Sequence, residues 1–500
     1  MQGSFDELVR RLGEISDVEK TAGLLGWDEE TKMPPLGADA RAEQRATLTR
    51  IAHELQTSPE LGELLERLRG FEEEHDPESF EASVVRVARH DYEKAVRVPP
   101  SLRAERARSG SRGYRAWLEA RRRDDYSILL PHLEHGLELL HEYIACFDSA
   151  DDPYDVLLDD YEPGMKTAEV AEVFSRLKPE LIALAASVQE PVDDSCLRGH
   201  FDAAAQRRFA LSVLERWGMD DDAWRLDDTV HPFAGSLSPS DIRLTTNFHE
   251  ENLVGLLSCM HEFGHGIYER QVDPAFFRTP LAHGVSSAFH ESQSRLWENL
   301  VGRNLATWRF LYPELRDAFP QQFARVPLET FHRALNKVEP SLKRTDADEV
   351  TYSLHIILRF ELEREMLAGT VALRDLPEAF DAKLEEYLGL RPRDDVEGVM
   401  QDVHWSDMSF GYFPTYALGN VISVQLWERA AADLGNPEEA FEQGEFGPLR
   451  EWLGEHVHRW GRTFTPQELL ERVTGSSLDP EPYLAYLRRK LEQLYGVSVG

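Results

Sequence analysis

Cysteine is scarce in this chain, with three residues in 500. Cys146, Cys196 and Cys259 are scattered, odd in number and free of the paired spacing that disulfide frameworks and thiolate metal sites require. The sequence therefore excludes a disulfide scaffold and fits a reducing cytoplasm. Cys259 lies two residues before His261, which on a helix points the two side chains to nearly opposite faces, so we expect Cys259 to pack in the core.

Long apolar runs are lacking as well. Every strongly apolar stretch is interrupted by charges well short of the roughly 18 residues that a membrane-spanning helix needs. The first residues, 1–11, have the pattern of an amphipathic helix with early acidic residues, without the apolar centre of a secretory signal. We therefore expect a soluble cytoplasmic protein with no membrane partner.

Lysine supplies only a small minority of the 55 basic residues, and 90 acidic residues bring the formal net charge to −35. Such a surface repels nucleic acid, so no nucleic-acid partner is expected. The acidity has two interpretations. The protein is adapted to a very salty cytoplasm, where salt screens the self-repulsion of the acidic groups, or it is an ordinary acidic bacterial protein. A melting temperature that does not rise between low and molar salt would refute the first.

Apolar residues recur at intervals of three and four through much of the chain, with charges between them. This pattern predicts a mostly helical protein, and its clear instances are 61–68, 129–147, 167–184 and 483–495. The best strand candidate is 242–246, which is rich in β-forming residues. Proline and glycine interrupt the chain without a stretch long enough for a linker, so we predict one domain over residues 1–500.

The clearest chemical pattern is HExxH, formed by His261, Glu262 and His265. A spacing of four residues stacks the two imidazoles on one helical face, within reach of a single ion, and lets Glu262 face the attacking water. The flanking residues are apolar, which argues against a merely solvated surface helix. The composition predicts this pattern by chance only about 0.06 times in a chain of this length, so the sequence predicts a zinc peptidase.

Catalytic zinc usually takes a third protein ligand and leaves its fourth position to water. A second predicted helix over 286–299 offers Glu291 and Glu298, which are seven residues apart and share one face. Spacing alone does not choose between them. His290 is a weaker candidate, because a histidine in such a place more often packs or hydrogen-bonds to a ligand.

Several further motifs occur in order along the chain. They are His-Pro-Phe at 231–233, Asp-Ile-Arg-Leu-Thr at 241–245, His-Glu-Ser-Gln at 290–293, Lys-Arg-Thr-Asp-Ala-Asp at 343–348, Gly-Val-Met-Gln-Asp-Val-His-Trp at 398–405 and Gly-Tyr-Phe-Pro-Thr-Tyr at 411–416. With these motifs the chain resembles the carboxypeptidase Taq family of zinc metallocarboxypeptidases, and the resemblance extends to 27–35 and 41–45. Lys343 is a departure, since the family usually has an apolar residue there, and it affects the expected substrate preference.

The resemblance implies an all-α fold, a shell similar to the neurolysin-like and angiotensin-converting-enzyme-like peptidases. It implies a deep central groove, at most a small β-sheet near the active site and commonly a homodimer. Its third-ligand motif implies zinc held by His261, His265 and Glu291, and cobalt or manganese could replace zinc at such a site. Glu262 is then expected to act as general base on the attacking water and as acid to the leaving amine.

An enzyme that hydrolyses C-terminal residues from peptides, here expected with broad specificity, must recognise the free carboxylate, for which arginine is the natural forked donor. Arg344 is the first choice and Arg243 the second. A donor for the oxyanion could come from Tyr412, Tyr416 or His404, without a choice among them. The residues expected to contact the substrate are Arg344, Arg243, His231, His404, Tyr412 and Tyr416.

Two alternatives remain open at this stage. The first is an endopeptidase or dipeptidyl carboxypeptidase that uses the same pair of helices. The second is a helical scaffold or peptide-binding protein that holds zinc without catalysis, against which the presence of Glu262 argues. The preferred terminal residue and the physiological peptides do not follow from the sequence.

Overall fold

The structure is a computed structural model that describes residues 1–147, 151–188 and 190–496. Its first half is helical up to a small sheet. These helices are α1 Gln2–Thr31, α2 Ala38–Gln56, α3 Pro59–Arg67, α4 Arg69–Glu73, α5 Phe80–Arg97, α6 Pro100–Arg123, α7 Leu130–Ile144, α8 Tyr154–Leu158, α9 Thr167–Ser187 and α10 Ala203–Trp217.

The second half is again helical. Its helices are α11 Val254–Arg270, α12 Ser287–Arg295, α13 Leu305–Ala318, α14 Pro320–Phe323, α15 Leu328–Leu335, α16 Tyr352–Leu367, α17 Leu376–Leu388, α18 Pro414–Leu434, α19 Pro437–Phe441, α20 Gly447–His456, α21 Pro466–Thr474 and α22 Glu481–Tyr495. After α12 the chain continues as a π-helix over Leu296–Gly302.

Between the two halves lies a three-stranded sheet of β1 Trp224–Asp228, β2 Ala234–Ser238 and β3 Asp241–Thr246, in the order β1-β3-β2. β3 pairs in parallel with β1 and antiparallel with β2. The expected strand at 242–246 is thus confirmed as β3. Within the described residues β2 pairs with a strand on one side only, so it is an edge strand.

Apolar side chains form two clusters. The larger one extends from α6 to α22 and surrounds α11 and α12. The smaller one joins α1, α3, α4 and α5 to the segment after α11, where Val272, Phe276 and Leu281 are buried. The four segments predicted to be helical correspond to α3, α7, α9 and α22, and Cys259 is fully buried as expected. Within the described residues, no helix is both long and apolar enough to cross a membrane.

Two glycines allow α12 to approach its neighbours closely. A Cβ atom at Gly264 of α11 would lie 2.3 Å from the carbonyl oxygen of Gln293, and one at Gly419 of α18 would lie 2.6 Å from Cγ of Glu291. Neither contact leaves room for a larger residue. The sandwiched helix α12 therefore holds its side chains at a fixed depth against α11.

The start of α12 is also fixed by polar contacts. The Ser286 hydroxyl accepts a hydrogen bond from the Phe289 amide at 3.2 Å, and the buried carboxyl group of Glu162 accepts one from the Ala288 amide at 2.6 Å. Both contacts satisfy amides that the first helical turn leaves without partners. Burial raises the pKa of Glu162 to about 7, although the groups that donate to it oppose this.

Candidate metal centre

Three side chains from two adjoining helices converge on one point. His261 and His265 project from α11 and Glu291 from α12, and their candidate ligand atoms all lie within 4.8 Å of one another. Oε2 of Glu291 is 3.8 Å from Nε2 of His261 and 3.5 Å from Nε2 of His265. The structure thus brings together the three residues that the sequence names as metal ligands.

His261 lies between two carboxylates. Its Nδ1 is 3.0 Å from Oε2 of Glu298, and Arg295 donates to that same oxygen at 3.1 Å. Arg295 also donates from Nε to Oε1 of Glu291 at 2.7 Å, so one guanidinium positions both acids. Because ligand histidines commonly donate their second N–H to a carboxylate, Glu298 favours the tautomer that leaves Nε2 of His261 free for a cation.

His265 is supported by a chain of polar groups. Its Nδ1 lies 3.1 Å from Nδ1 of His290, whose Nε2 is 2.8 Å from Oε1 of Glu269. Nδ1 of His283 lies 3.6 Å from the other oxygen of Glu269. Burial opposes ionisation of Glu269, but the two imidazoles beside it hold its pKa well below the ordinary value. His290 therefore contacts a candidate ligand and lies outside the three-residue cluster.

The pKa values of Glu262 and Glu291 are shifted in opposite directions. Burial raises the pKa of Glu262 to about 7, and the charges of Glu291 and Glu298 add to this effect while His261 opposes it. For Glu291, burial is outweighed by Arg295 and His261, which hold its pKa far below the ordinary value. Glu291 thus stays anionic, as a metal ligand must, and Glu262 can exchange a proton near neutral pH.

The donor set fits a divalent transition metal. Two imidazole nitrogens and one carboxylate oxygen are a ligand set of catalytic zinc sites. Burial lowers the pKa of His265 to about 4, so its imidazole is neutral at pH 7, the form that binds metals. Cobalt and manganese accept the same donors, so these residues select a class of metal and not one element.

The cluster opens into a cavity of about 740 Å³, called here the metal cavity, within the usual size of ligand sites. Its wall includes Ala234, Gly235 and Ser236 of the edge strand β2. Tyr412, just before α18, and Tyr416, in the first turn of α18, also line it. Extended backbone, metal ligands and two tyrosines therefore surround one space.

Comparison with known proteins places this site in a family. The family model described as "Carboxypeptidase Taq (M32) metallopeptidase" matches residues 7–491. The chain belongs to this family. It is 42% identical to Thermostable carboxypeptidase 1 of Thermus thermophilus, with 99% of both chains aligned, and 36% identical to Carboxypeptidase 1 of Bacillus subtilis, with 98% of both aligned.

The fold agrees with this assignment. The crystal structure of the M32 carboxypeptidase from Deinococcus radiodurans superposes with a TM-score of 0.96 at 42% identity, covering 99% of this chain and 100% of that one. The expected family and helical fold are thus confirmed, and the protein is a metallocarboxypeptidase. Family membership decides against the endopeptidase and the non-catalytic scaffold that the sequence left open.

Among the residues expected to contact the substrate, the two tyrosines line the metal cavity. Their rings lie edge to face with centres 5.2 Å apart. His404 does not line the cavity; its Nε2 is 3.4 Å from the Tyr416 hydroxyl, and its ring packs 4.5 Å from that of Phe413. Tyr412 and Tyr416 are thus better placed than His404 to contact a substrate of this carboxypeptidase.

Arg344 lies behind Tyr416, with its guanidinium carbon 4.8 Å from the ring centre. Its Nε and Nη2 donate to Oδ1 of Asp402 at 3.1 and 2.9 Å, and Nη1 donates to the Tyr352 hydroxyl at 2.9 Å. Arg359 donates to the other oxygen of Asp402 at 2.7 Å. Arg344 is buried and does not line the cavity, so its role as receptor of the terminal carboxylate stays a prediction.

Arg243 and His231 also lie outside the lining of the metal cavity. Arg243 donates to both oxygens of Asp241 at 2.8 and 2.9 Å, and its guanidinium lies 4.6 Å from the centre of the Trp27 ring. His231 is exposed in the loop before β2, and its neighbour Pro232 lines the cavity. Their roles in substrate binding stay predictions.

Four charged residues of the cavity were not singled out from the sequence, namely Lys20, Asp160, Glu269 and Arg462. Glu269 follows His265 by one helical turn and extends the stripe of His261 and His265, so its spacing was a usable signal. Lys20 of α1 donates from Nζ to the backbone oxygen of Ser236 at 2.8 Å. It and Arg462 lie far from the motif in the sequence, and no local pattern connects them to it.

Proposed function

We propose that the protein is a zinc carboxypeptidase of broad specificity, with the metal bound by His261, His265 and Glu291. The observation that carries this proposal is the convergence of two Nε2 atoms and one carboxylate oxygen at a peptide-sized cavity. Zinc bound there would polarise the scissile carbonyl group and lower the pKa of the attacking water.

Glu262 is proposed as the general base. It lies next to His261 on α11, lines the cavity and is nearly buried, and its pKa near neutrality suits both uptake and release of a proton. It would take a proton from the attacking water and then deliver that proton to the leaving amine. Glu298 and His290 would act indirectly, by orienting the imidazoles of His261 and His265.

The edge strand β2 is proposed to align the substrate. Its residues Ala234, Gly235 and Ser236 line the cavity and have no neighbouring strand on that side of the sheet. An extended peptide can add to such an edge through backbone hydrogen bonds, independently of its side chains. This mode of binding supports broad specificity, because it reads the backbone rather than the sequence of the peptide.

For the oxyanion we propose the hydroxyl groups of Tyr412 and Tyr416, which both line the cavity. Arg344 remains the proposed receptor of the terminal carboxylate. Part of its donor set is left after the bonds to Asp402 and Tyr352, and a shift of Tyr416 would expose it to the cavity. Arg243 is the second choice because its Nε and Nη2 atoms already donate to the two carboxylate oxygens of Asp241.

Metal analysis and digestion of one defined peptide test this proposal together. Product masses read over time should show successive loss of single residues from the free C-terminus, and an amidated peptide should resist. We expect chelation to abolish turnover and stoichiometric zinc to restore it. Release of dipeptides, or full activity in chelator, would contradict the proposal.

The Glu262→Gln variant tests the general base. It keeps the size of the side chain but cannot accept a proton, so kcat should fall by about 10²- to 10⁴-fold while zinc content stays close to stoichiometric. Glu251→Gln, at an exposed position before the same helix, is the matched control and should retain activity. A Glu262→Gln variant with full activity would exclude the proposed mechanism.

The predicted single domain over 1–500, the homodimer and the cytoplasmic location also remain proposals. Coincident unfolding of the two apolar clusters would support one domain, and sedimentation of the metal-loaded protein would measure its oligomeric state. Separate unfolding transitions would contradict the single domain, and a monomer at micromolar concentration would contradict the homodimer.

A further inference from the structure

A second chamber opens beyond the metal cavity, between α5, α6 and α7; we call it the distal chamber. It has a volume of about 300 Å³, and Asp160 lines both it and the metal cavity. Asp91 joins the distal chamber to a smaller space of about 220 Å³, whose wall shares His283 and Arg462 with the metal cavity. The three spaces therefore adjoin one another and share wall residues.

Two guanidinium groups line the distal chamber without an acidic partner. Within the described residues, neither Arg103 nor Arg106 has a carboxylate oxygen within 4.0 Å. Arg103 donates to the backbone oxygen of Ala95 at 3.2 Å, and Arg106 lies on the ring of Tyr143 with its guanidinium carbon 3.8 Å from the centre. The Nε atom of each arginine is buried without a hydrogen-bond partner.

The acidic residues of the chamber are engaged elsewhere. Asp91 accepts hydrogen bonds from both terminal nitrogens of Arg462 at 2.8 Å. Asp160 lies 2.8 Å from Nζ of Lys94 and accepts a hydrogen bond from the Tyr143 hydroxyl at 2.7 Å. The two arginines thus keep a local positive charge in a chain whose acidic residues outnumber the basic ones by 90 to 55.

This arrangement is costly without an anion. Burial lowers the pKa of Arg103 and the nearby charge of Arg106 acts in the same direction, while Tyr143 and Asp160 only partly oppose this. Both guanidinium groups are half-buried, and a charge in such a place is normally compensated by a partner. A pair of guanidinium groups suits a carboxylate, which accepts hydrogen bonds on both oxygens. The distal chamber adjoins the metal cavity at Asp160, so the missing partner can be part of a peptide that extends from the metal cavity.

We propose that Arg103 and Arg106 bind an acidic side chain, Asp or Glu, of the peptide substrate upstream of the scissile bond. The inference rests on the proposed removal of one C-terminal residue at the metal cluster. If one residue lies downstream of the cut, the rest of the peptide lies upstream, and only that part can extend beyond the metal cavity. The acidic side chain therefore belongs to a position upstream of the cut.

A peptide series with one Glu or one Gln at successive upstream positions tests this inference. At one position the wild-type enzyme should cleave the Glu peptide with a kcat/KM about three- to tenfold higher, through a lower KM, because the new ion pair is partly exposed. Molar salt should reduce this ratio. Equal values for Glu and Gln at every position would overturn the inference, and this comparison requires no variant.

Variants locate the effect. Arg103→Gln and Arg106→Gln should each bring the Glu/Gln ratio close to one, while Arg108→Gln should keep the wild-type ratio, since Arg108 is exposed on the same helix and paired with Glu105. A ratio that survives both substitutions would assign the preference to another site and overturn the inference. Failure to cleave even the Gln peptide with the wild-type enzyme would instead contradict the proposed function.

Discussion

Gly264, inside the HExxH motif, offers a direct test of how the metal site is built. A Cβ atom there would lie 2.3 Å from the carbonyl oxygen of Gln293 and 2.5 Å from Cα of Ser294, both in the backbone of α12. Ordinary contacts begin at 3.4 Å, so a Gly264→Ala variant would force α11 and α12 apart by about 1 Å. The candidate ligand Glu291 lies on α12 and the two histidines on α11, so this separation would widen the cluster.

The two expected effects have different magnitudes. Overpacking of a tight contact costs about 1–3 kcal/mol, and backbone atoms cannot yield as a side chain can. Metal–ligand distances tolerate only about 0.2 Å, so a shift of about 1 Å should weaken zinc binding by more than the 10- to 100-fold that loss of a supporting group costs. We therefore expect Gly264→Ala to lose most of its zinc while it remains folded.

Two further glycines supply the controls. A Cβ atom at Gly266 would meet side chains of the sheet, with Cζ3 of Trp224 at 2.4 Å, so Gly266→Ala should lower stability but disturb the spacing of α11 and α12 less. At Gly70, in α4, a Cβ atom would meet nothing within 4 Å, so Gly70→Ala should be neutral or slightly stabilising.

Chelator competition and thermal melting measure the two effects separately. Competition with a chromogenic chelator gives the zinc affinity, and melting in excess chelator gives the stability of the metal-free chain. Gly264→Ala should lower both the zinc affinity and the melting temperature. Gly266→Ala should lower mainly the melting temperature, and Gly70→Ala should lower neither. Wild-type zinc affinity in a folded Gly264→Ala variant would refute the view that the contact between α11 and α12 sets the ligand geometry.

Three other substitutions test the surroundings of the site. Glu298→Ala should weaken zinc binding by about 10- to 100-fold in chelator competition, because His261 loses the carboxylate on its Nδ1; unchanged affinity would exclude an orienting role. Tyr416→Phe should lower kcat by about 10²- to 10³-fold with little change in KM if its hydroxyl stabilises the oxyanion, and a pure KM effect would contradict this. Arg344→Ala should remove most activity on free-ended peptides, and wild-type turnover would reject Arg344 as carboxylate receptor. Urea unfolding of this variant should show a free energy of unfolding lower by about 1.5–3 kcal/mol, because Asp402 loses the hydrogen bonds from Arg344 but keeps those from Arg359.

Much of the fold followed from local patterns. Three- and four-residue periodicity predicted the helices now seen as α3, α7, α9 and α22, because each of them buries one apolar stripe. Helix α16 has no such stripe, since residues 352–360 are buried on every side. It supplies Tyr352 and Arg359, whose contacts with Arg344 and Asp402 depend on tertiary packing and leave no local pattern.

The placement of the substrate residues shows the limit of a motif. The sequence marked Arg344 and Arg243 as forked donors but did not mark their acceptors, and in the structure both already hold a carboxylate of this chain. Arg103 and Arg106 belong to no motif, yet they line the distal chamber and have no such acceptor among the residues that the structure describes. Residue type predicts what a side chain can bind, whereas the availability of its donors depends on neighbours that are distant in sequence.

The choice between Glu291 and Glu298 illustrates the same point within the candidate site. Their spacing of seven residues predicted a shared face, and both carboxyl groups do reach His261, one at each ring nitrogen. Only Glu291 also lies close to Nε2 of His265, because Gly264 and Gly419 allow α12 to lie deep between α11 and α18. A carboxylate that meets one histidine can orient it, but one that meets both can complete a three-ligand site. The difference between the two acids therefore arises from the depth of helix packing, which spacing along one helix does not contain.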